Sequence, residues 1–137
     1  MNNLTDEEFQ ELIKWKERYK LALAGANDGL WDWNMETNEV YMSPRFKEML
    51  GYKDSELPSQ FSSWEDNLHP EDTVHAHNAI DDYLNGVVDD YTVEFRMRHK
   101  HQHYVHILSR GRVLRNKSGK PTRFIGTHTD ILSLIHI

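Results

Sequence analysis

The N-terminal part of the chain carries apolar side chains at the period of an α-helix. Thr5 precedes this run and Glu8 follows three residues later, which is the spacing of an N-terminal capping box. The pattern predicts an amphipathic helix over about residues 5–24, and we assign residues 1–25 to a helix that flanks the domain. Its apolar residues recur every three or four positions, and they are Phe9, Leu12, Trp15, Tyr19, Ala22 and Ala26.

From residue 30 onward the period of the pattern falls to two, as in a β-strand. Ser43 and Pro44 begin a short helix that Gly51 ends, and another proline and glycine bound a longer helix. Helices inserted among locally paired strands predict an α+β domain with one antiparallel sheet. The predicted elements are a hairpin over 29–35 and 38–42, a helix over 44–50, irregular chain over 52–69, a helix over 70–85, and strands over 90–99, 103–115 and 122–132.

The composition of the chain excludes several classes of partner and of functional site. Its 137 residues, the size of one ordinary domain, carry a formal net charge of -6 and no run of lysine or arginine. Neither a nucleic acid nor an anionic membrane surface is therefore an expected partner. No apolar stretch approaches the roughly 18 residues of a membrane span, and the start of the chain has no signal-peptide pattern. Cysteine is absent, which excludes disulfides, thiolate nucleophiles and cysteine-ligated metals and is compatible with a reducing cytoplasm.

Sequence motifs of catalysis are also missing. The chain has no phosphate-binding glycine loop, no His-Glu-x-x-His pair and no nucleophile elbow. Gly119 and Lys120 resemble the end of a phosphate loop, but the upstream glycine is absent. We therefore predict that this chain by itself is not an enzyme.

Several separated segments, in a fixed order, resemble one known family. They read DGLWDWNMETNEVYMSPRFKEMLGY, then LHPED at 68–72, YTVEFRMRHK at 91–100 and ILSRGRVLRNKSGKPTRFIGTHTDI at 107–131. Together they are similar to a PAS domain over about residues 20–132. More narrowly, they resemble the branch with Trp-Asp-Trp in the first strand and a C-terminal PAC motif.

This resemblance implies the PAS fold, a five-stranded antiparallel sheet with helices over one face and a pocket between them. We place the PAS domain at 26–132, with the PAC motif over about 88–132, and assign 133–137 to a C-terminal tail or the start of a linker. PAS domains are sensory and dimerisation modules, usually embedded in bacterial signalling proteins such as two-component histidine kinases and diguanylate cyclases. The resemblance therefore implies a covalently attached output domain.

Two places depart from the family pattern. The family usually has Asp-Gly in the turn after the third strand and a tryptophan shortly beyond, where this chain has His101-Gln102 and His106. The family's closing Asp-Ile-Thr ends here in Leu132, so the hydrogen bond of that threonine to the strand is not expected.

The Trp-Asp-Trp motif places Trp31 and Trp33 on one face of the predicted first strand and Asp32 on the other. A partly buried carboxylate needs a hydrogen-bond donor, and we predict Arg110, Arg112 or an indole N–H as the partner of Asp32. Two interpretations stand. The favoured one is a structural hydrogen bond, and the other is an anchor that ties the state of the pocket to the flanking helix.

The resemblance also implies a role for Asp130, because the acid of the family's closing motif links the sheet to the output helix. Arg110 or Arg112 is its predicted partner, and the alternative is that Asp130 merely caps the end of the strand. Asp32, Arg110 and Asp130 are thus the candidate signal-coupling residues.

Apolar residues from several elements are the candidates for lining the pocket, although the same residues also describe an ordinary core. His77 joins them because it borders the apolar face of the 70–85 helix, next to Ile80 and Leu84. Haem-binding PAS domains take an axial histidine from this region, and His75 is the second choice. The apolar candidates are Phe46, Met49, Leu50, Phe61, Trp64, Leu84, Phe95 and Leu108.

Cofactors are only partly constrained. We predict no haem, because one histidine is weak evidence for haem ligation. The absence of cysteine excludes cysteinyl-flavin photochemistry, whereas a noncovalent redox flavin stays open. His99, His101 and His103 alternate as zinc or nickel ligands would, but no carboxylate cluster accompanies them, so a solvated turn is the favoured interpretation.

We expect a cytoplasmic sensory and dimerisation module that transmits the state of its pocket, or of a partner, to an output domain. Leu12, Trp15 and Tyr19 of the flanking helix are predicted to form a homodimer interface. Two alternatives remain, a structural dimerisation module that binds no ligand and a haem or flavin redox sensor.

Overall fold

The computed structural model describes residues 4–132, except for the side chains of residues 20–26. Nine elements follow one another along this part of the chain, and they are α1 (Asp6–Ala26), β1 (Gly29–Asn34), β2 (Val40–Met42), α2 (Pro44–Glu48), α3 (Phe61–Glu65), α4 (Thr73–Leu84), β3 (Tyr91–Arg98), β4 (Tyr104–Arg115) and β5 (Pro121–Asp130).

The five strands form one antiparallel sheet in the order β2-β1-β5-β4-β3, which confirms the predicted fold class. The first and last strands of the chain, β1 and β5, pair in the middle of the sheet, where Trp31 lies opposite Gly126 and Trp33 lies opposite Phe124. Consequently β5 separates β1 from β4, an arrangement that decides which side chains can pair across the sheet.

Side-chain hydrogen bonds cap the N-termini of α1 and α2. At α1 the Thr5 hydroxyl accepts from the Glu8 backbone N–H at 3.1 Å and donates to the Glu8 carboxylate at 3.0 Å. At α2 the Ser43 hydroxyl caps the helix by accepting from the Phe46 N–H, and it also accepts from the Leu30 N–H of β1 at 2.8 Å. Ser43 therefore fixes α2 against the sheet.

Two helices differ from the predicted ones. α3 lies within the stretch predicted to be irregular over 52–69, because five residues are too few to establish a helical period. α4 begins at Thr73 rather than at residue 70, and Asp72 precedes it without a side-chain capping bond. The Asp72 carboxylate is instead bound by Arg96 of β3.

Helices α2, α3 and α4 cover one face of the sheet, which we call the cavity face, and the core lies between them. Its buried members include Met42, Phe46, Met49, Leu50, Leu57, Trp64, Leu68, Ala76, Phe95, Met97, Val105 and Ile107. The opposite face, which we call the open face, carries the alternate side chains of the same strands, among them Leu30, Asp32, Tyr41, Leu108, Arg110, Arg123 and Ile125.

Within the described residues, no helix is both long and apolar enough to cross a membrane. The apolar side chains along α1 remain largely exposed in the single chain: Phe9, Leu12, Ile13, Trp15 and Tyr19.

Candidate functional site

A cavity of about 50 Å³ lies between the cavity face and the helices. All five strands line it: β1, β2 and β5 contribute two residues each, whereas β3 contributes Tyr91 and β4 contributes Ser109. None of the described residues that line it is a lysine, an arginine, an aspartate or a glutamate. The lining residues are Trp31, Trp33, Val40, Met42, Phe46, Phe61, Trp64, Ile80, Tyr91, Ser109, Phe124 and His128.

The Trp31 side chain lies over two glycines, Gly126 of β5 and Gly111 of β4. A Cβ atom at Gly126 or at Gly111 would overlap the Trp31 six-membered ring, so these positions leave room for the indole. Phe124 meets the same ring edge-on at a centroid distance of 4.8 Å, and Tyr91 does so at 6.0 Å. The first tryptophan of the Trp-Asp-Trp motif therefore forms the floor of the cavity.

Two polar atoms in the cavity lining have no partner within the described structure. The indole Nε1 of Trp31 and the hydroxyl of Ser109 are both buried and make no hydrogen bond. A buried polar group left unpaired costs about 1–3 kcal/mol. The cavity thus combines an apolar lining with two unused hydrogen-bonding groups.

The titratable groups of the lining are uncharged at neutral pH. His128 is buried, its ring stacks on Phe46 at 4.6 Å, and burial lowers its pKa to about 3. Burial raises the pKa of the Tyr91 phenol to about 12, and a polar contact with the Ser109 hydroxyl, which does not reach hydrogen-bond geometry, offsets this only in part. The described lining therefore offers no charged side chain to a molecule in the cavity.

The structure brings only some of the predicted pocket residues to the cavity. Phe46, Phe61 and Trp64 line it. Met49, Leu50 and Phe95 are buried in the adjoining core, and Leu84 is half-buried at the end of α4, but none of these four is a lining residue.

Leu108 was assigned to the wrong face of its strand. Its neighbours Ile107 and Ser109 are buried on the cavity face, and side chains alternate along a strand, so Leu108 points to the open face. Sequence reasoning also missed Ser109, Tyr91 and His128.

His77 lies outside the cavity lining. One ring nitrogen lies 2.7 Å from the Thr73 carbonyl oxygen and the other 3.0 Å from the Glu65 carboxylate, while the ring packs on Trp64 at 5.4 Å. The Nε2 atom of His75 lies 2.8 Å from the carbonyl oxygen of Glu94. Cofactor-sized pockets measure about 300–1,000 Å³, so neither haem nor flavin fits a cavity of about 50 Å³.

The histidine-rich turn forms a stack of rings. His99 lies between His103 at 4.2 Å and His101 at 5.2 Å, and its Nδ1 accepts from the His101 backbone N–H at 3.0 Å. Burial and the two neighbouring imidazoles lower the pKa of His99. In the part of the chain that the structure describes, no three or more histidine, cysteine or acidic residues are placed to hold a metal ion.

Asp32 pairs with Arg123, so the predicted arginine partners on β4 were wrong. The Arg123 Nε donates to one carboxylate oxygen at 2.9 Å, and a second guanidinium nitrogen donates to the other oxygen. The reason is topological, since β5 lies between β1 and β4. Tyr19 of α1 is close enough that burial and the Asp32 charge raise the pKa of its phenol.

The register does not bring Asp130 to the face of its predicted partners, Arg110 and Arg112. Asp130 lies opposite Ile107 at the end of β5, on the cavity side of the alternation. Arg110 lies opposite Thr127, three residues away on β5, and therefore projects from the open face, as does Arg112.

A second ionic contact joins the helical layer to the sheet. Arg96 donates to the Asp72 carboxylate from Nε at 2.9 Å and from Nη2 at 2.9 Å, and its backbone N–H adds a bond at 2.8 Å. These bonds lower the pKa of Asp72 to about 2. The LHPED segment thus clamps the start of α4 to β3.

Comparison with known proteins supports the resemblance to PAS domains. The sequence profile described as PAS fold matches residues 39–128. A sensory box histidine kinase/response regulator from Burkholderia thailandensis is 38% identical, with a TM-score of 0.74, and the match covers 85% of this chain and 86% of that chain. The N-terminal domain of a diguanylate cyclase with PAS/PAC sensor from Marinobacter aquaeolei is 27% identical, with a TM-score of 0.68, over 80% of this chain and 99% of that chain.

One curated relative is much longer than this chain. The probable diguanylate cyclase DgcE of Escherichia coli is 28% identical over 127 residues, which make up 93% of this chain but only 11% of that protein. The similarity therefore concerns a sensory domain and does not extend to the rest of the enzyme. With the profile spanning well over half of its residues, the chain belongs to the PAS fold family.

Proposed function

We propose that the chain is a cytoplasmic sensory module that transmits the occupancy of its cavity to a covalently attached output domain. The observation that carries this proposal is the cavity itself, an apolar space in which Trp31 and Ser109 leave hydrogen-bonding groups unused. Such groups are costly in the empty state and gain a partner when a ligand binds. The relatives favour a histidine kinase or a diguanylate cyclase as the output.

The path from cavity to exterior runs through one strand. On β1, Trp31 faces the cavity while its neighbour Asp32 faces outward and binds Arg123. A ligand that moves Trp31 therefore moves the Asp32 carboxylate relative to Arg123 and to Tyr19 of α1. The ligand shifts this arrangement only if it binds the two states with different affinities.

Homodimerisation through α1 completes the proposed mechanism. Leu12 is 56% exposed and Trp15 61% exposed, and Tyr19 continues the same apolar stripe. A helix gains most of its stability from packing an apolar face, so α1 is expected to bury this stripe against a second copy. The alternative function, a structural dimerisation module without a ligand, rests on the same exposed stripe.

The variant Ser109→Val in the full-length protein tests the sensory function. It fills part of the cavity and removes one unused hydroxyl, so we expect a change in kinase or cyclase output while the module stays folded. An unchanged output, together with loss of the dimer on deleting residues 1–20, would favour the structural alternative. Light scattering measures the dimer, and a monomeric parent would contradict the α1 interface.

A further inference from the structure

We infer that the cavity binds a small, uncharged molecule whose polar atom accepts a hydrogen bond, such as a ketone of about four non-hydrogen atoms. This inference rests on the proposed function, because it takes the cavity to be a ligand site. It adds the size, the charge and the polarity of the ligand, each from a separate feature of the cavity lining.

The size of the ligand follows from the volume of the cavity. The cavity measures about 50 Å³. An engineered protein cavity that holds benzene measures about 150 Å³, so the ligand is smaller than benzene unless the helices move apart. Most of its surface must be apolar, since rings and aliphatic side chains form most of the lining.

The charge of the ligand follows from the lack of charged side chains in the described lining. Among the side chains that the structure describes, no acidic or basic group faces the cavity other than His128, and that imidazole is neutral because it is fully enclosed. A carboxylate would enter without a cation, and an ammonium ion would enter without a carboxylate. Burying an unpaired charge costs far more than burying a neutral polar group.

Polarity follows from the two unpaired atoms. The indole Nε1 of Trp31 can only donate a hydrogen bond, and the Ser109 hydroxyl can donate or accept. Ser109 is 1% exposed, so bulk water does not satisfy it. A carbonyl or ether oxygen accepts from either group, whereas a ligand that carries only donors leaves the indole unpaired.

Four probes of nearly equal shape separate these properties: acetone, 2-methylpropene, acetate and isopropylammonium. The 137-residue chain is labelled with ¹⁵N and titrated at pH 7 with each probe, while the Trp31 indole N–H resonance is followed by NMR. We expect acetone to shift this resonance to saturation, with the downfield proton shift of a new hydrogen bond. Acetate and isopropylammonium should bind at least tenfold more weakly than acetone.

Two hydroxyl deletions form a matched pair. Ser109→Ala removes a cavity hydroxyl, and Thr129→Val removes one that is also buried and unpaired but lies on the open face. We expect Ser109→Ala to weaken the binding of acetone about fivefold, which corresponds to one hydrogen bond of about 1 kcal/mol. The affinity for 2-methylpropene should stay unchanged. Thr129→Val should leave both affinities unchanged.

The inference is overturned if either ion binds as tightly as acetone, if Ser109→Ala and Thr129→Val behave alike, or if no probe moves the indole resonance. Binding of an ion in place of acetone would refute the ligand class and leave the sensory function standing. That function fails separately, if Ser109→Val does not change the output of the full-length protein.

Discussion

The two faces of the sheet are built from the same strands and have opposite physical characters. On the cavity face, Phe124 and His128 are buried, Trp31 is half-buried, all three are uncharged, and two polar atoms lack partners. On the open face, Asp32 and Arg123 form an ion pair whose arginine side chain is 52% exposed. Because successive side chains alternate, a one-residue step along β1 leads from the one environment to the other.

Under the proposed sensory function, the cavity face would mainly determine stability and the open face would carry the signal. Close packing and burial make substitutions on the cavity face costly, whereas exposed ion pairs contribute only about 0–1 kcal/mol. The open face can therefore change its arrangement at little cost in folding free energy.

The largest expected effect is at Gly126. In Gly126→Ala the new methyl group would overlap both the Trp31 ring and the Arg110 carbonyl oxygen, and the backbone cannot give way. We expect a loss of about 3 kcal/mol in the free energy of unfolding, measured by urea denaturation.

Gly86→Ala is the matched control, since nothing lies within 4 Å of that position and only its φ of +77° opposes alanine. We expect this control to lose about 1 kcal/mol. Equal losses in the two variants would show that the cavity face is not tightly packed around Trp31.

The next effect is a pH dependence from His128, whose folded-state pKa of about 3 lies below the ordinary 6.5. Below pH 6.5 the His128 imidazole binds a proton in the unfolded chain but stays neutral in the folded protein. The free energy of unfolding therefore falls as the pH drops toward 3. Between pH 7 and pH 5 we expect a loss of about 2 kcal/mol. His128→Gln should remove this loss, and His101→Gln, in the exposed turn, should retain it. A wild-type stability that is flat over this interval would contradict the burial of His128.

A comparable effect is expected for Asp72, at the edge between the helical layer and the sheet. Its pKa falls from 3.8 to about 2 on folding, so its contribution is present above pH 3.8 and disappears as the pH falls through 2. Asp72→Asn should therefore cost about 2 kcal/mol at pH 7. The difference between the two proteins should vanish near pH 2, and urea titrations at both pH values measure it. A cost that persists unchanged at pH 2 would mean that the carboxylate charge is not its source.

The smallest stability effect is expected on the open face. Asp32→Asn keeps the size of the side chain and removes its charge, so the exposed pair with Arg123 should lose at most about 1 kcal/mol. Output of the full-length protein should nevertheless change. A cost as large as that of Gly126→Ala would abolish the distinction between the two faces.

The sequence predicted the sheet well because its evidence is local. Alternation and turn residues placed β3, β4 and β5 within about two residues of their observed bounds, and separated motifs identified the family. Partners across the sheet depend on strand order, which no local pattern contains. For this reason Arg123 was missed as the partner of Asp32.

The cavity was harder to predict than the fold. Ile107 and Leu108 are both apolar, so their order does not reveal which of them faces inward. Ser109 and His128 are polar and were not candidates for the interior, although alternation with Ile107 and Phe124 places both on the cavity face. Their burial follows from helices that cover the sheet, which is a tertiary effect.

The central claim is that occupancy of the cavity reaches the open face. It is tested most directly by following two NMR signals in one acetone titration, the Trp31 indole N–H in the cavity and the Arg123 Nε–H that donates to Asp32. We expect both signals to shift with the same midpoint, and Asp32→Asn to remove the response of Arg123 but not that of Trp31. An Arg123 signal that stays fixed while Trp31 saturates would contradict it.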